Sequence, residues 1–104
     1  MEYITLKNTN ISVSRLCMGG YGWGNVSESE LIDAVRAALD CGVNFFDTAD
    51  TYGLGQSEKT LAKALSSDRN KAVIATKFGV RVENSKTFYD NSPEYIVKAL
   101  DASL

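Results

Sequence analysis

Residues 42–58 read Gly-Val-Asn-Phe-Phe-Asp-Thr-Ala-Asp-Thr-Tyr-Gly-Leu-Gly-Gln-Ser-Glu, and residues 72–78 read Ala-Val-Ile-Ala-Thr-Lys-Phe. Each stretch is a short apolar run that delivers one charged side chain, Asp47 in the first and Lys77 in the second. The second run, Ala72–Thr76, is nearly continuous, which predicts a strand buried on both faces, as in parallel sheets. Helical signals surround both. Ser27 followed by Glu30 is a capping box. Leu31, Val35, Ala38 and Leu39 then share one helical face, and Gly42 supplies the stop. Ser57 is expected to open a second helix, with Leu61, Ala64 and Leu65 turned to the core. Ser92-Pro93-Glu94 starts a third, a cap residue followed by Pro at the first helical position. Its apolar face runs through Ile96, Ala99, Leu100 and Leu104.

Upstream, Leu16-Cys17-Met18 is a short apolar run ending in Gly19-Gly20, a candidate buried strand. Residues 3–6 and 11–14 flank Asn8-Thr9-Asn10 and read as a small hairpin. The order is a hairpin and then strand and helix three times over. Such alternation predicts an α/β fold with a parallel sheet and crossover helices. The third helix carries no stop signal, so residues 1–104 read as a single partial domain that ends inside an element.

Composition narrows the class. The net charge is −2 and no two Lys or Arg residues are adjacent, which argues against a nucleic-acid surface. No apolar run approaches the ~20 residues of a membrane span. The opening Met-Glu-Tyr-Ile-Thr-Leu lacks the basic start and long apolar stretch of a signal peptide, so the expected location is cytoplasmic. Cys17 and Cys41 are the only thiols, without CxxC spacing and without any His in the chain. They are expected to be two buried free thiols, with no disulfide and no metal site.

In a parallel α/β sheet, ligands gather at the carboxyl ends of the strands. Asp47 and Lys77 would each end a strand there, and Tyr52 lies in the loop above them. An Asp–Lys pair stabilises both charged forms, and an ammonium beside a phenol favours the phenolate. The three form a general-acid device able to protonate a carbonyl oxygen while something else supplies a hydride. Plainer readings exist for each. Tyr52 alone reads as a packing residue, Asp47-Thr48-Ala49-Asp50 as turn chemistry and Lys77 as a solvated strand-end charge. The order strand, Asp, Tyr loop, helix, strand, Lys makes the functional reading the stronger one. The cluster Gly19-Gly20-Tyr21-Gly22-Trp23-Gly24 lacks the G-x-G-x-x-G spacing of a dinucleotide loop. It reads equally as a flexible loop and as a place where Tyr21 and Trp23 approach a flat ligand. Glu58, in the first turn of its helix, suits the helix dipole.

Several of these stretches resemble the aldo-keto reductase family. Gly42 through Leu65, with Asp-Thr-Ala-Asp-Thr-Tyr-Gly and a downstream Ser-Glu, is similar to the family's first signature. Ser14 through Tyr21 resembles its first barrel strand and nicotinamide-facing loop. Ala75-Thr76-Lys77 resembles its third-strand motif, and Ser92-Pro93-Glu94-Tyr95-Ile96 the helix after it. The resemblance implies the N-terminal part of a TIM (β/α)8 barrel, a hairpin plus about three β/α units, with the hairpin plugging the bottom. It implies an NADPH-dependent reductase of aldehydes and ketones, NADH being the other cofactor to consider. By motif, Tyr52 would be the proton donor, tuned by Asp47 and Lys77. Gly20, Tyr21 and Asp47 would meet the cofactor, and a small carbonyl compound would be the substrate. The family's tetrad also has a His after the fourth strand, and this sequence has none. The isolated chain is therefore expected to be inactive and to self-associate through open sheet edges. The alternative is a non-catalytic fragment or a nucleotide-sensing regulatory subunit.

Overall fold

A computed structural model describes residues 1–104. Three parallel strands form the central sheet, β3 (Cys17–Gly19), β4 (Phe45–Asp47) and β5 (Val73–Ala75), in the order β3-β4-β5. Gly19, Asp47 and Ala75 are level with one another across it. The crossovers are α1 (Glu28–Asp40) and α2 (Gln56–Ala64), and a third helix, α3 (Pro93–Ser103), follows β5.

Strand alternation decides what is covered. Phe46 is fully buried and packs with Val35, Leu61, Ala64, Leu65 and Ala72. Met18 and Ile74, level with Phe46 on the flanking strands, pack against the same cluster. The helices therefore cover one face of the sheet. Cys17, Phe45, Asp47 and Ala75 belong to the opposite face by alternation. Cys17 and Cys41 are free, as expected, but exposed rather than buried. Cys17 alternates with Met18 and so faces away from the helices, and Cys41 lies at the C-terminal cap of α1. Likewise β5 is half-buried rather than buried on both faces, because it has one strand neighbour and helices on one side.

The helix starts follow their sequence signals with one exception. Ser27 accepts from the Glu30 amide while the Glu30 carboxylate takes the Ser27 amide, a complete capping box. Ser92 caps α3 through the Tyr95 amide, with Pro93 behind it. Helix α2 begins earlier than expected. Its cap is Gly55, left-handed at φ 87°, and Ser57 lies inside the first turn with its side chain turned into the protein. The expected apolar face of α3 is largely uncovered: Ala99 is buried, whereas Leu100 and Leu104 are exposed.

The terminal hairpin joins β1 (Tyr3–Thr5) to β2 (Ser12–Ser14) in antiparallel register. Its attachments all lie at the N-terminal end of β4. Tyr3 Oη donates to the Gly42 carbonyl at 2.8 Å. Asn44 Oδ1 accepts from the Ser14 amide at 2.7 Å, and Asn44 Nδ2 donates to the Ser12 carbonyl at 3.0 Å. The hairpin thus sits at the end of the sheet opposite Asp47.

A second hairpin was not anticipated from the sequence. Between β5 and α3, β6 (Val80–Glu83) pairs antiparallel with β7 (Lys86–Tyr89). The two-residue turn has Asn84 and Ser85 at φ 49° and 61°, the left-handed pair of a type I′ turn. Arg81 fastens this hairpin to α3. Its guanidinium bonds Asp90 at 2.8 Å and lies 5.3 Å from the Tyr95 ring centre. The radius of gyration is 14.6 Å, against roughly 13 Å for a compact domain of this length, in keeping with a sheet open at both edges.

Candidate active site

The carboxyl ends of β4 and β5 bring Asp47 and Lys77 together. Asp47 is the last residue of β4, and Lys77 lies two residues beyond the end of β5 rather than at its tip. Lys77 Nζ donates to both Asp47 oxygens at 2.7 Å and to the Thr48 carbonyl at 2.9 Å. The ammonium thus has three oxygen acceptors within 2.9 Å. The Asp47 hydrogen bond is the main cause that holds the Lys77 ammonium above the ordinary lysine range. Desolvation opposes it, and Tyr52 adds a smaller push upward.

Tyr52 stands beside this pair. Its ring centre is 5.3 Å from Lys77 Nζ. The Tyr21 and Tyr52 rings meet in a T-shaped pair, 5.3 Å between centres at 69°. The Tyr52 loop is tied down along its backbone. The Asp50 amide donates to the Lys77 carbonyl, the Tyr52 amide to the Ala49 carbonyl, and the Ser57 amide to the Tyr52 carbonyl at 3.2 Å. Tyr52 thus neighbours both a cation and an aromatic ring, on a loop bonded to the Lys77 carbonyl.

The glycine loop is positioned from beneath. The Gly20 amide donates to the Asp47 carbonyl at 2.7 Å. A Cβ at Gly20 would lie 2.4 Å from Ser57 Oγ, so the close approach of loop and helix requires glycine. Gly20 is buried, with its amide and carbonyl both engaged within the chain, whereas Tyr21 is 82% exposed. Beneath them Thr48 Oγ1 donates to Ser57 Oγ at 2.8 Å, and Ser57 Oγ donates to the Gly20 carbonyl at 3.3 Å. Thr48 and Ser57 were not singled out as site residues from the sequence. Thr48 directly follows Asp47, which was singled out, whereas Ser57 reads only as the start of a helix.

A cleft of about 850 Å³ opens between this loop and α2, with Tyr21, Trp23 and Tyr52 as aromatic walls and Gln56 at its side. That volume lies within the range of small-ligand and cofactor sites. Lys63, also on the cleft, is held by both Glu28 oxygens at 2.8 Å. The lining of the cleft includes Tyr52 but neither Asp47 nor Lys77, so the cleft meets the charged pair only across the Tyr52 ring. Glu58 takes no part: its carboxylate accepts from Thr76 Oγ1 at 2.6 Å. Asp50 faces a separate groove of about 440 Å³ between α2 and α3. Burial first, and Glu58 second, push its carboxyl above the usual range, while the Thr51 amide pulls the other way. Cys17 shares the open face with Asp47, and partial desolvation raises its thiol above the ordinary value, with Asp47 adding to the shift and Lys77 opposing it.

This parallel β/α sheet, with Asp47, Lys77 and Tyr52 gathered at its carboxyl edge, is of the α/β barrel class, and the chain belongs to the aldo-keto reductase family, whose sequence model matches residues 15–104. It is 36% identical to the aldo-keto reductase YhdN of Bacillus subtilis, over all of this chain and 34% of that one. It is 32% identical to the NADH-specific methylglyoxal reductase of Escherichia coli, over all of this chain and 37% of that one. It superposes on a holo-form aldo-keto reductase from Bacillus halodurans with a TM-score of 0.92 and 34% identity, covering all of this chain and 35% of that structure. The chain spans about a third of the length of these relatives. The solved relatives are TIM barrels, and this chain is an N-terminal portion of that fold.

Proposed function

We propose that residues 1–104 carry the proton-donor half of an NADPH-dependent reductase that converts aldehydes and ketones to alcohols, with NADH as the other cofactor to test. One observation carries the reading: the Tyr52 ring lies 5.3 Å from an ammonium that Asp47 holds in place through two 2.7 Å bonds. When bound, the nicotinamide supplies a hydride to the carbonyl carbon. Tyr52 Oη–H gives its proton to the carbonyl oxygen. The Lys77 ammonium stabilises the phenolate left behind, and Asp47 keeps that ammonium charged and oriented. Tyr21 and Trp23 wall the cleft against which the nicotinamide end would lie. The same reading makes a small carbonyl compound the substrate and the cytoplasm the location. Two free thiols and the lack of any helix long and apolar enough to cross a membrane accord with this.

The test joins residues 1–104 to the later two-thirds, approximately, of the Bacillus subtilis relative and compares the fusion with its Tyr52→Phe variant. Phenylalanine keeps the ring and removes only the transferable proton. We expect kcat to fall at least 100-fold, the low end of general-acid effects, with nicotinamide binding within twofold. Comparable turnover in the two proteins would reject Tyr52 as the acid.

A further inference from the structure

We infer that Ser57 is a positioning residue for Tyr52, acting through Gly20 and Tyr21, an inference that rests on the proton-donor reading above. Ser57 belongs to α2, yet it touches the Tyr52 loop, the end of β4 and the glycine loop. Its amide donates to the Tyr52 carbonyl at 3.2 Å. Its hydroxyl accepts from Thr48 at the end of β4 and donates to the carbonyl of Gly20, the residue before Tyr21. Ser57 is 4% exposed and Thr48 is fully buried.

The hydroxyl chain is directional. Thr48 gives its only hydroxyl proton to Ser57, and Ser57 gives its own to Gly20. Ser57 is the one member that both accepts and donates. There is also no slack: Ser57 Oγ fills the space that a Gly20 Cβ would occupy. The tie therefore fixes how far the glycine loop stands from α2. Through the next residue it fixes where the Tyr21 ring meets Tyr52, 5.3 Å away. Tyr21 is otherwise largely exposed, and the side-chain hydrogen bonds of the protein include none from its phenol. Its placement over Tyr52 comes from its backbone. Without the tie, Tyr52 keeps its loop and its lysine but loses the T-shaped contact with the Tyr21 ring.

Fluorine NMR of the fluorotyrosine-labelled barrel fusion reads this directly, with each tyrosine of residues 1–104 assigned through its own Tyr→Phe variant. Tyr21→Leu marks where the Tyr52 signal falls without the neighbouring ring. Ser57→Ala and Ser57→Cys are expected to move the Tyr52 signal at least half of the way to that mark. The signals of Tyr3, Tyr89 and Tyr95 should hold, which reports an intact fold. Ser57→Cys puts a larger and weaker hydrogen-bonding atom at the same position, so it decides the matter if Ser57→Ala does not fold. In the barrel fusion, Ser57→Cys is expected to lower kcat about tenfold with KM for the cofactor within twofold. A Tyr52 signal unmoved in the folded variant, or a kcat unchanged from an active parent, overturns the inference. A parent fusion without turnover counts against the proton-donor reading instead and leaves the spectral result to stand alone.

Discussion

Placing a methyl group at Gly20 should be disruptive out of proportion to its size. An alanine Cβ there meets Ser57 Oγ at 2.4 Å, the Asp47 carbonyl at 3.3 Å and Thr48 Oγ1 at 3.4 Å. Ordinary contact begins near 3.4 Å, so Ser57 Oγ must retreat by about 1 Å while the other two contacts are at their limit. Overpacking of this kind costs about 1–3 kcal/mol. The retreat also stretches or breaks the Thr48–Ser57 bond, whose loss costs about 1 kcal/mol. Against this, Gly20 is not among the positive-φ residues, so alanine removes unfolded-state freedom and returns about 0.4–1 kcal/mol. The net expectation is a loss of about 2 kcal/mol, or roughly 10 °C in Tm for a chain of this size. Urea unfolding followed by Trp23 fluorescence measures it. The double variant Gly20→Ala/Ser57→Gly removes the colliding atom and should recover at least half of the loss once the cost of Ser57→Gly alone is subtracted. Gly24→Ala, which meets nothing within 4 Å, serves as the control. Equal stability of Gly20→Ala and wild type, or additivity of the two substitutions within about 0.5 kcal/mol, would refute the reasoning.

Two further outcomes follow from the same geometry. Asp50→Asn should stabilise the chain slightly at neutral pH, by no more than about 0.5 kcal/mol, because the folded state holds this carboxyl above its ordinary value. A raised acid binds its proton more readily when folded, so the penalty is present at neutral pH and disappears as pH falls through the folded value toward 4; melting curves at pH 7 and pH 3.5 in which the variant's advantage failed to shrink would contradict this. Residues 1–104 alone should self-associate, since β3 and β5 present open edges and Val97, Leu100 and Leu104 lie exposed on α3; light scattering showing a monodisperse monomer at micromolar concentration would dismiss the expectation.

What the sequence made legible was what local chemistry determines. Ser27 with Glu30 and Ser92 with Pro93 mark helix starts because their side chains satisfy amides within a single turn. Asp47 and Lys77 could be placed at one edge because parallel strands share a direction. The errors come from context. Ser57 has the character of a cap, but Gly55, by turning left-handed, opened the helix before it. Val80-Arg81-Val82-Glu83 alternates as a strand does, yet its turn is Asn84-Ser85. A serine at φ 61° is a weak hairpin signal where glycine is the usual second residue. Cys17 was expected to be buried because its neighbours are apolar, and only the strand register decides which of two adjacent residues faces the helices. The Thr48–Ser57–Gly20 chain joins residues up to 37 positions apart, and no spacing rule reaches across that distance.

The attachment of the first hairpin settles how the molecule can be handled. Met1 lies against Gly42, at the corner where α1 hands over to β4, and Tyr3 is bonded to the same residue. The amino terminus therefore leaves the protein from the end of the sheet opposite the Asp47–Lys77 pair. An affinity tag, a fluorophore or a sensor surface coupled at Met1 would hold the molecule by its base and leave the Tyr52 cleft facing the solution.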